Sequence, residues 1–451
     1  MSPTTIDHHI VVFAFPFGSH VAPLFSIIHK LAICSPTTHF SFFCIPVCNK
    51  SILSSYKHNM QQNIKIHDLW DGVPDGYKFI GKPQEDIELF MNAAPESFRK
   101  SIDTVVAETS KEINCLVSDA FFWFAAEMAE EMKVPWIAYW VGSPVSISAH
   151  YYTDLIRQTY GVEGKNETLK IIPGMSKIRI GDLPEGVLFG NLESLFSQML
   201  HKMATVLPKA DAIILNSFEE LEPITTNDLK SKFKKFLSTG PFNLVSPSPA
   251  APDVYGCIEW LDKQEPASVA YISFGSVVTP PPHELAALAE ALEASKVPFL
   301  WSIKDHAKMH LPNGFLDRTK SQGTVVPWTP QMEVLGHDAV GVFITHCGWN
   351  SIIESITGGV PMICRPFFGD QRINGRMVED VWEIGLKVEG GLLTKNGVIE
   401  SLDQILSTEK GKKMRENIRT LKELAERAIG PKGNSSKNFT ELADIVMSKK
   451  R

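Results

Sequence analysis

Between Val340 and Cys364 the chain spells out a strand, a turn, a helix and a second strand with hardly a residue between them, and few folds accept such a unit. Val340–Thr345 (VGVFIT) is apolar and β-branched throughout, the pattern of a strand buried on both faces, and Val360–Cys364 (VPMIC) is a second run of that kind. His346–Asn350 reads as the turn. Ser351 and Glu354 have the spacing of a capping box, which predicts a helix that begins near Ser351 and stops at Gly358-Gly359. Two strands joined through one helix form a parallel crossover. The alternation recurs along the chain. Ile10–Phe15 runs into Pro16–His20 and a helix with Leu24, Ile27, Ile28 and Leu31 on one face. His39–Cys44, Ile113–Ser118 (which delivers Asp119), Trp136–Trp140 and Asp211–Leu215 continue it. In the second half come Ser268–Phe274, the helix His283–Ala294 and the strand Phe299–Ile303. Strands separated by helices imply an α/β fold with open parallel sheets, helices on both faces and ligands beyond the carboxyl ends of the strands.

A chain of 451 residues is too long for one ordinary core, which points to two domains of roughly 200 residues each. Asn243–Pro252 holds three prolines in six residues and no periodicity, and reads as the linker between a domain over 1–242 and another over 253–430. After it, Phe274-Gly275-Ser276 echoes Phe17-Gly18-Ser19, as though both halves opened on the same strand-glycine-turn device. Lys410–Ala428 reads as a charged amphipathic helix, and Lys449–Arg451 as a solvated tail. The net charge is −7 with acids and bases interspersed, so neither nucleic acid nor an anionic membrane is an expected partner. Seven cysteines without CxxC pairs suit reduced thiols better than a disulfide framework. No basic leader opens the chain and no apolar run nears the ~20 residues of a membrane span, so a soluble, cytoplasmic monomer is expected.

The free amides of a helix starting near Ser351 would attract an anion, and the side chains of His346, Asn350 and Ser351 beside them suit a diphosphate. Trp328 offers an indole on which a flat base can stack, and Asp370-Gln371 offers polar groups for sugar hydroxyls. On spacing alone Ser351 and Glu354 could equally do no more than cap a helix. His20 stands just past the first strand and Asp119 at the end of another. Each has a plain reading, a surface loop histidine and a helix N-cap. The alternative is a base and its orienting carboxylate: a positioned imidazole of pKa ~6.5 can take the proton of a phenol of pKa ~10 as that oxygen attacks. No Asp-x-Asp occurs, so no metal or other cofactor is expected for the diphosphate.

The stretch WTPQMEVLGHDAVGVFITHCGWNSIIESITGGVPMICRPFFGDQ, from Trp328 to Gln371, resembles the signature box of plant UDP-sugar-dependent glycosyltransferases. That resemblance implies a GT-B fold, two facing Rossmann-like doubly wound domains with a cleft between them, and a last segment, 431–451, that packs back on the first domain. It implies that Trp328 stacks on uracil, Gln331 touches it, Glu354 holds the ribose, and His346, Asn350 and Ser351 hold the diphosphate. Asp370 and Gln371 would hold the hexose, with Gln371 favouring UDP-glucose. Ser276, Ser302, Thr329 and Trp349 would complete the donor site. By the same resemblance His20 is the general base, Asp119 its partner, and the reaction inverts the anomeric centre. PQEDIELF, AAPESFR, IPGMSKIRIGDLPEG and GPFNL resemble the flavonoid 3-O-glucosyltransferase branch. This implies a flavonol or anthocyanidin acceptor held by Gln84 and His150, with Ser19, Phe121 and Phe368 beside it. Val141 departs from the branch pattern, where a Thr often holds the hexose 6-hydroxyl, and leaves galactose or a pentose open. Two rivals remain. A dehydrogenase would show G-x-G-x-x-G after a strand, and none is present. A binding protein that has lost its chemistry is opposed by the intact His20 and Asp119.

Overall fold

A computed structural model describes residues 8–82, 84–247, 249 and 252–448. Lys449–Arg451, read as a tail, and Ser248, Ala250 and Ala251 of the expected linker lie outside the described residues. The chain forms two compact units, Met1–Thr159 with Glu185–Pro249 and Ile429–Arg451, and Tyr160–Pro184 with Ala250–Ala428. No helix among the described residues is long and apolar enough to cross a membrane.

The first unit holds strands β1 (His9–Phe13), β2 (His39–Cys44), β3 (Ile64–Asp68), β4 (Cys115–Asp119), β5 (Trp136–Trp140), β6 (Ala212–Leu215) and β7 (Phe236–Ser238). They form one parallel sheet in the order β3-β2-β1-β4-β5-β6-β7. Successive side chains of a strand point to opposite faces, so the unbroken apolar runs feed two cores at once. Val11, Phe13, Phe43 and Leu116 pack with Phe98 and Phe122 on one face. Ile10, Val12, Phe40, Phe42 and Val117 pack with Leu24, Phe25 and Ile28 on the other. The last helix, Asn434–Val446, adds Phe439, Leu442 and Val446 to this second core. Its Asn438 amide donates to Glu219 Oε1 at 2.8 Å and to the Ser238 carbonyl at 3.0 Å, which fixes the helix along β7.

The second unit holds β8 (Val269–Ser273), β9 (Phe299–Ser302), β10 (Gly323–Val326), β11 (Val340–Thr345), β12 (Met362–Cys364) and β13 (Gly385–Lys387), parallel in the order β10-β9-β8-β11-β12-β13. Two differences from the sequence reading stand out. Asn243–Val245, the start of the expected linker, is helical within Phe242–Val245, because buried Phe242 anchors that turn in the first unit's core. Tyr160–Pro184, which the sequence reading placed in the first domain, belongs to the second unit. Asp182 holds it there by accepting from Arg376 at 2.8 and 3.2 Å and from Lys387 at 3.1 Å. Burial pushes the Asp182 carboxyl up, but the Arg376 hydrogen bond, the Lys387 and Arg376 charges and the Arg179 amide outweigh it and hold it below the usual range.

Candidate functional site

In the first unit the strand order reverses direction between β1 and β4, so the turn after β1 and the end of β4 open on the same crevice. Gly18, at φ +65°, makes the sharp turn that brings His20 to the start of the helix Val21–Cys34. His20 Nδ1 lies 2.7 Å from Asp119 Oδ2, and Asp119 Oδ1 accepts the Phe121 amide at 3.0 Å. Both carboxylate oxygens are therefore committed. With Nδ1–H donating to the carboxylate, Nε2 is the ring nitrogen left able to take up a proton. The Phe15 and Phe121 rings flank the imidazole, each 4.9 Å away between centroids. The His20 side chain keeps 11 % of its surface exposed and that of Asp119 only 1 %, so a small part of the imidazole is reachable while its partner is sealed. The expected N-cap role of Asp119 takes another form, since the next helix starts only at Ala125 and the carboxylate closes an Asx turn instead.

From Phe121 the aromatic contacts run on to Trp140 at 6.0 Å and from Trp140 to His150 at 5.7 Å. Burial pushes the His150 imidazole down to about 4, which leaves it neutral near pH 7 and able to donate or accept one hydrogen bond. Ser19 and Gln84 are exposed, and Val141 is half-buried. Of the expected acceptor residues in this unit, Phe121 and His150 are thus joined to His20 by ring contacts.

The second unit repeats the arrangement at its own reversal, between β8 and β11. Gly275, at φ +74°, turns the chain after β8 as Gly18 does after β1. His346, after β11, sits between two glycine backbones: a Cβ on Gly348 would lie 2.4 Å from its Nε2, and one on Gly275 would lie 2.8 Å from its Cε1. Burial pushes this imidazole down to about 4, and its buried Nδ1 has no hydrogen-bond partner among the described residues.

The helix begins at Trp349 rather than near Ser351, with Gly348 as N-cap and no side-chain cap. The expected capping box is absent, because Ser351 and Glu354 face Gln331. Gln331 Nε2 donates to Ser351 Oγ at 3.1 Å and to Glu354 Oε2 at 2.6 Å. The leading amides of a helix left without a side-chain cap carry the positive end of its dipole. Tyr271, which reads in sequence as one more strand residue, donates to Gln331 Oε1 at 3.0 Å and meets Thr329 Oγ1 at 2.7 Å. Thr329 is therefore a support for Gln331, its hydroxyl turned to the core phenol. Burial pushes the Glu354 carboxyl up to about 7, against the hydrogen bond from Gln331 that lowers it.

Trp328 is 44 % exposed. Trp349 is buried, its ring 6.5 Å from that of Trp382. Gln371 commits its carbonyl oxygen to the amides of Phe367 and Phe368 at 2.8 and 3.2 Å, which leaves its NH2 to offer. Asp370 Oδ2 accepts from Asn374 at 3.2 Å. Ser276 is exposed and its carbonyl accepts from Lys304, Ser302 closes β9, and Phe368 is half exposed. Sequence reasoning missed Tyr271 and Asn374, and read Gly275 and Gly348 as turn residues without their packing on His346. Only Asn374 carried a signal, one helical turn past Asp370.

Three comparisons show what the chain is similar to. Residues 45–431 match the family model described as UDP-glucoronosyl and UDP-glucosyl transferase. The chain is 58% identical to an anthocyanidin 3-O-glucosyltransferase of Vitis vinifera, with all of both chains covered, and 55% identical to a flavonol 3-O-glucosyltransferase of Arabidopsis thaliana over 99% of each. A crystal structure of a UDP-glucose: anthocyanidin 3-O-glucosyltransferase in complex with UDP superposes with a TM-score of 0.93 at 42% identity, covering 98% of this chain and 99% of that one.

Proposed function

The chain belongs to the UDP-glucoronosyl and UDP-glucosyl transferase family, and from that premise we propose that it transfers glucose from UDP-glucose to the 3-hydroxyl of an anthocyanidin or flavonol, inverting the anomeric carbon. The names of its relatives support the donor and the acceptor class. The observation that carries the chemistry is the 2.7 Å bond between His20 and Asp119 at the first unit's strand reversal. His20 Nε2 takes the proton of the 3-hydroxyl as that oxygen attacks the anomeric carbon. The bond from that carbon to the diphosphate oxygen breaks, and UDP leaves with its electron pair. Asp119 holds the ring in the Nδ1–H tautomer and stabilises the cation that forms. His346 and the uncapped start of the helix Trp349–Gly358 receive the charge of the leaving diphosphate, a role for which a metal is not required. Gln331 and Glu354 read base and ribose, Trp328 stacks on the base, Asn350 and Ser351 serve the diphosphate, and Asp370 with Gln371 serves the hexose.

The test is UDP release from UDP-glucose with quercetin or cyanidin, against a flavone that lacks the 3-hydroxyl. Product should form only with the former, as a β-glycoside by NMR and at the same rate with a chelator. His20→Ala and Asp119→Asn should each lose about 10²–10⁴-fold in turnover while still binding UDP. Full turnover by the His20 variant would overturn the mechanism. A second reading rests on Val141, whose side chain offers no hydroxyl to a hexose 6-OH. Equal or faster turnover with UDP-galactose or a UDP-pentose in the same assay would favour it.

A further inference from the structure

A single carboxylate ties down the loop that follows β3. Glu85, 5 % exposed at the start of the helix Glu85–Thr109, accepts from the Tyr77 hydroxyl at 2.6 Å. It also accepts from the amides of Ile80 at 3.1 Å, Gly81 at 3.1 Å and Lys82 at 3.2 Å. The Tyr77 hydrogen bond above all, and the three amides with it, hold this carboxyl below its usual range against the opposing effect of burial. At the loop's base Gly72 presses against the same helix so closely that a Cβ there would lie 2.4 Å from the Leu89 carbonyl oxygen. Tied at both ends, the loop nonetheless holds Phe79 55 % exposed and Ile80 81 % exposed, and Gln84 beside the knot sits at φ +62°, where a side chain is strained. Ring contacts lead from this helix to the proposed base: Phe90 to Phe17 at 5.7 Å, Phe17 to Phe15 at 5.2 Å, and Phe15 to His20 at 4.9 Å.

We propose that Glu85 is a positioning residue for the acceptor: by knotting Tyr77–Lys82 it holds Gln84 in its strained conformation and presents Phe79 and Ile80 as an apolar edge to a flat phenol. Backbone strain persists only where surrounding bonds over-determine it, and here one carboxylate supplies those bonds. This rests on the flavonoid reading above. A carboxamide in place of the carboxylate would turn an N–H toward donors, so Glu85→Gln should untie the loop without changing its size, and Tyr77→Phe should remove one bond of the knot. In Glu85→Gln the KM for the flavonoid should rise about tenfold, the loss of one charge-assisted hydrogen bond, with the KM for UDP-glucose unchanged. Tyr77→Phe should fall between it and the wild type. Hydrogen exchange should show Ile80, Gly81 and Lys82 amides losing protection in Glu85→Gln while β1 and β4 keep theirs. Unchanged flavonoid KM in both variants, or a parallel rise in both substrate KM values, overturns the proposal. Wild-type protein that turns over no flavonoid overturns instead the function on which it rests. If Glu85→Gln does not fold, Tyr77→Phe decides by the same split.

Discussion

At the scale of single residues, Glu354 is a group whose charge changes near neutral pH, because burial pushes its carboxyl up to about 7. Ionised, it has lone pairs for two ribose hydroxyls besides the Gln331 amide; protonated, it loses one acceptor site. The sign follows: UDP-glucose should bind more tightly as pH rises from about 6 to about 8, by up to about tenfold, and Glu354→Gln should flatten the dependence. Calorimetry on the His20→Ala protein checks this without turnover, and a pH-independent affinity would contradict the assignment. Gly348 gives a second test, since its φ of −61° suits any residue while a Cβ would lie 2.4 Å from His346 Nε2. Gly348→Ala should therefore displace His346 and raise the KM for UDP-glucose at least tenfold, with a stability loss of about 1–3 kcal/mol by thermal melt. At this scale the sequence was readable where a side chain's place follows from its position along the chain. His20 and Asp119 stood at strand ends, and the Trp328–Gln371 box carried its own spacing. It was unreadable where a polar atom is recruited across the fold. Tyr271 looks like strand filling, and the Ser351/Glu354 spacing mimics a cap because nothing in it announces Gln331 as the competing partner.

At the scale of elements, strands and helices were legible because their apolar period was unbroken. Val340–Thr345 is a strand at the predicted bounds, and Glu409–Ile429 is the predicted amphipathic helix extended by a residue at each end. The glycine-turn echo is structural as well: Gly18 and Gly275 both take positive φ in the turn that follows the strand at the reversal of their sheets. What periodicity could not supply was a helix's destination. For Asn434–Val446 it was the family resemblance, not the period, that implied packing back on the first domain, and Leu442 and Val446 are fully buried in the first unit's second core. Leu442→Ala should cost about 2–5 kcal/mol, a buried leucine with little room to collapse around it. Chemical denaturation should show this loss while the KM for UDP-glucose stays where it was. A neutral substitution would mean that the helix is only loosely applied.

At the scale of the whole molecule, the chain enters each unit more than once, and Asp182 is the residue on which this segmentation turns. Its side chain is 6 % exposed against an Arg376 at 10 %, and removing one partner of a buried ion pair leaves the other without compensation. Asp182→Ala should destabilise the second unit by about 3–5 kcal/mol. Hydrogen exchange should then speed up around Arg376 and Lys387 and leave β1–β7 unaffected; faster exchange in the first unit's sheet would place Tyr160–Pro184 wrongly. A linear reading cannot see such exchanges, because hydrophobic period marks where an element is and says nothing of which sheet it covers. The same interleaving bears on protein engineering. A hybrid spliced once, near Pro249, from two relatives would inherit a first sheet capped by a foreign tail and a second sheet laced by a foreign insert. Substrate preferences can be exchanged cleanly only by recombinants that carry 160–184 along with the back half and 429–451 along with the front.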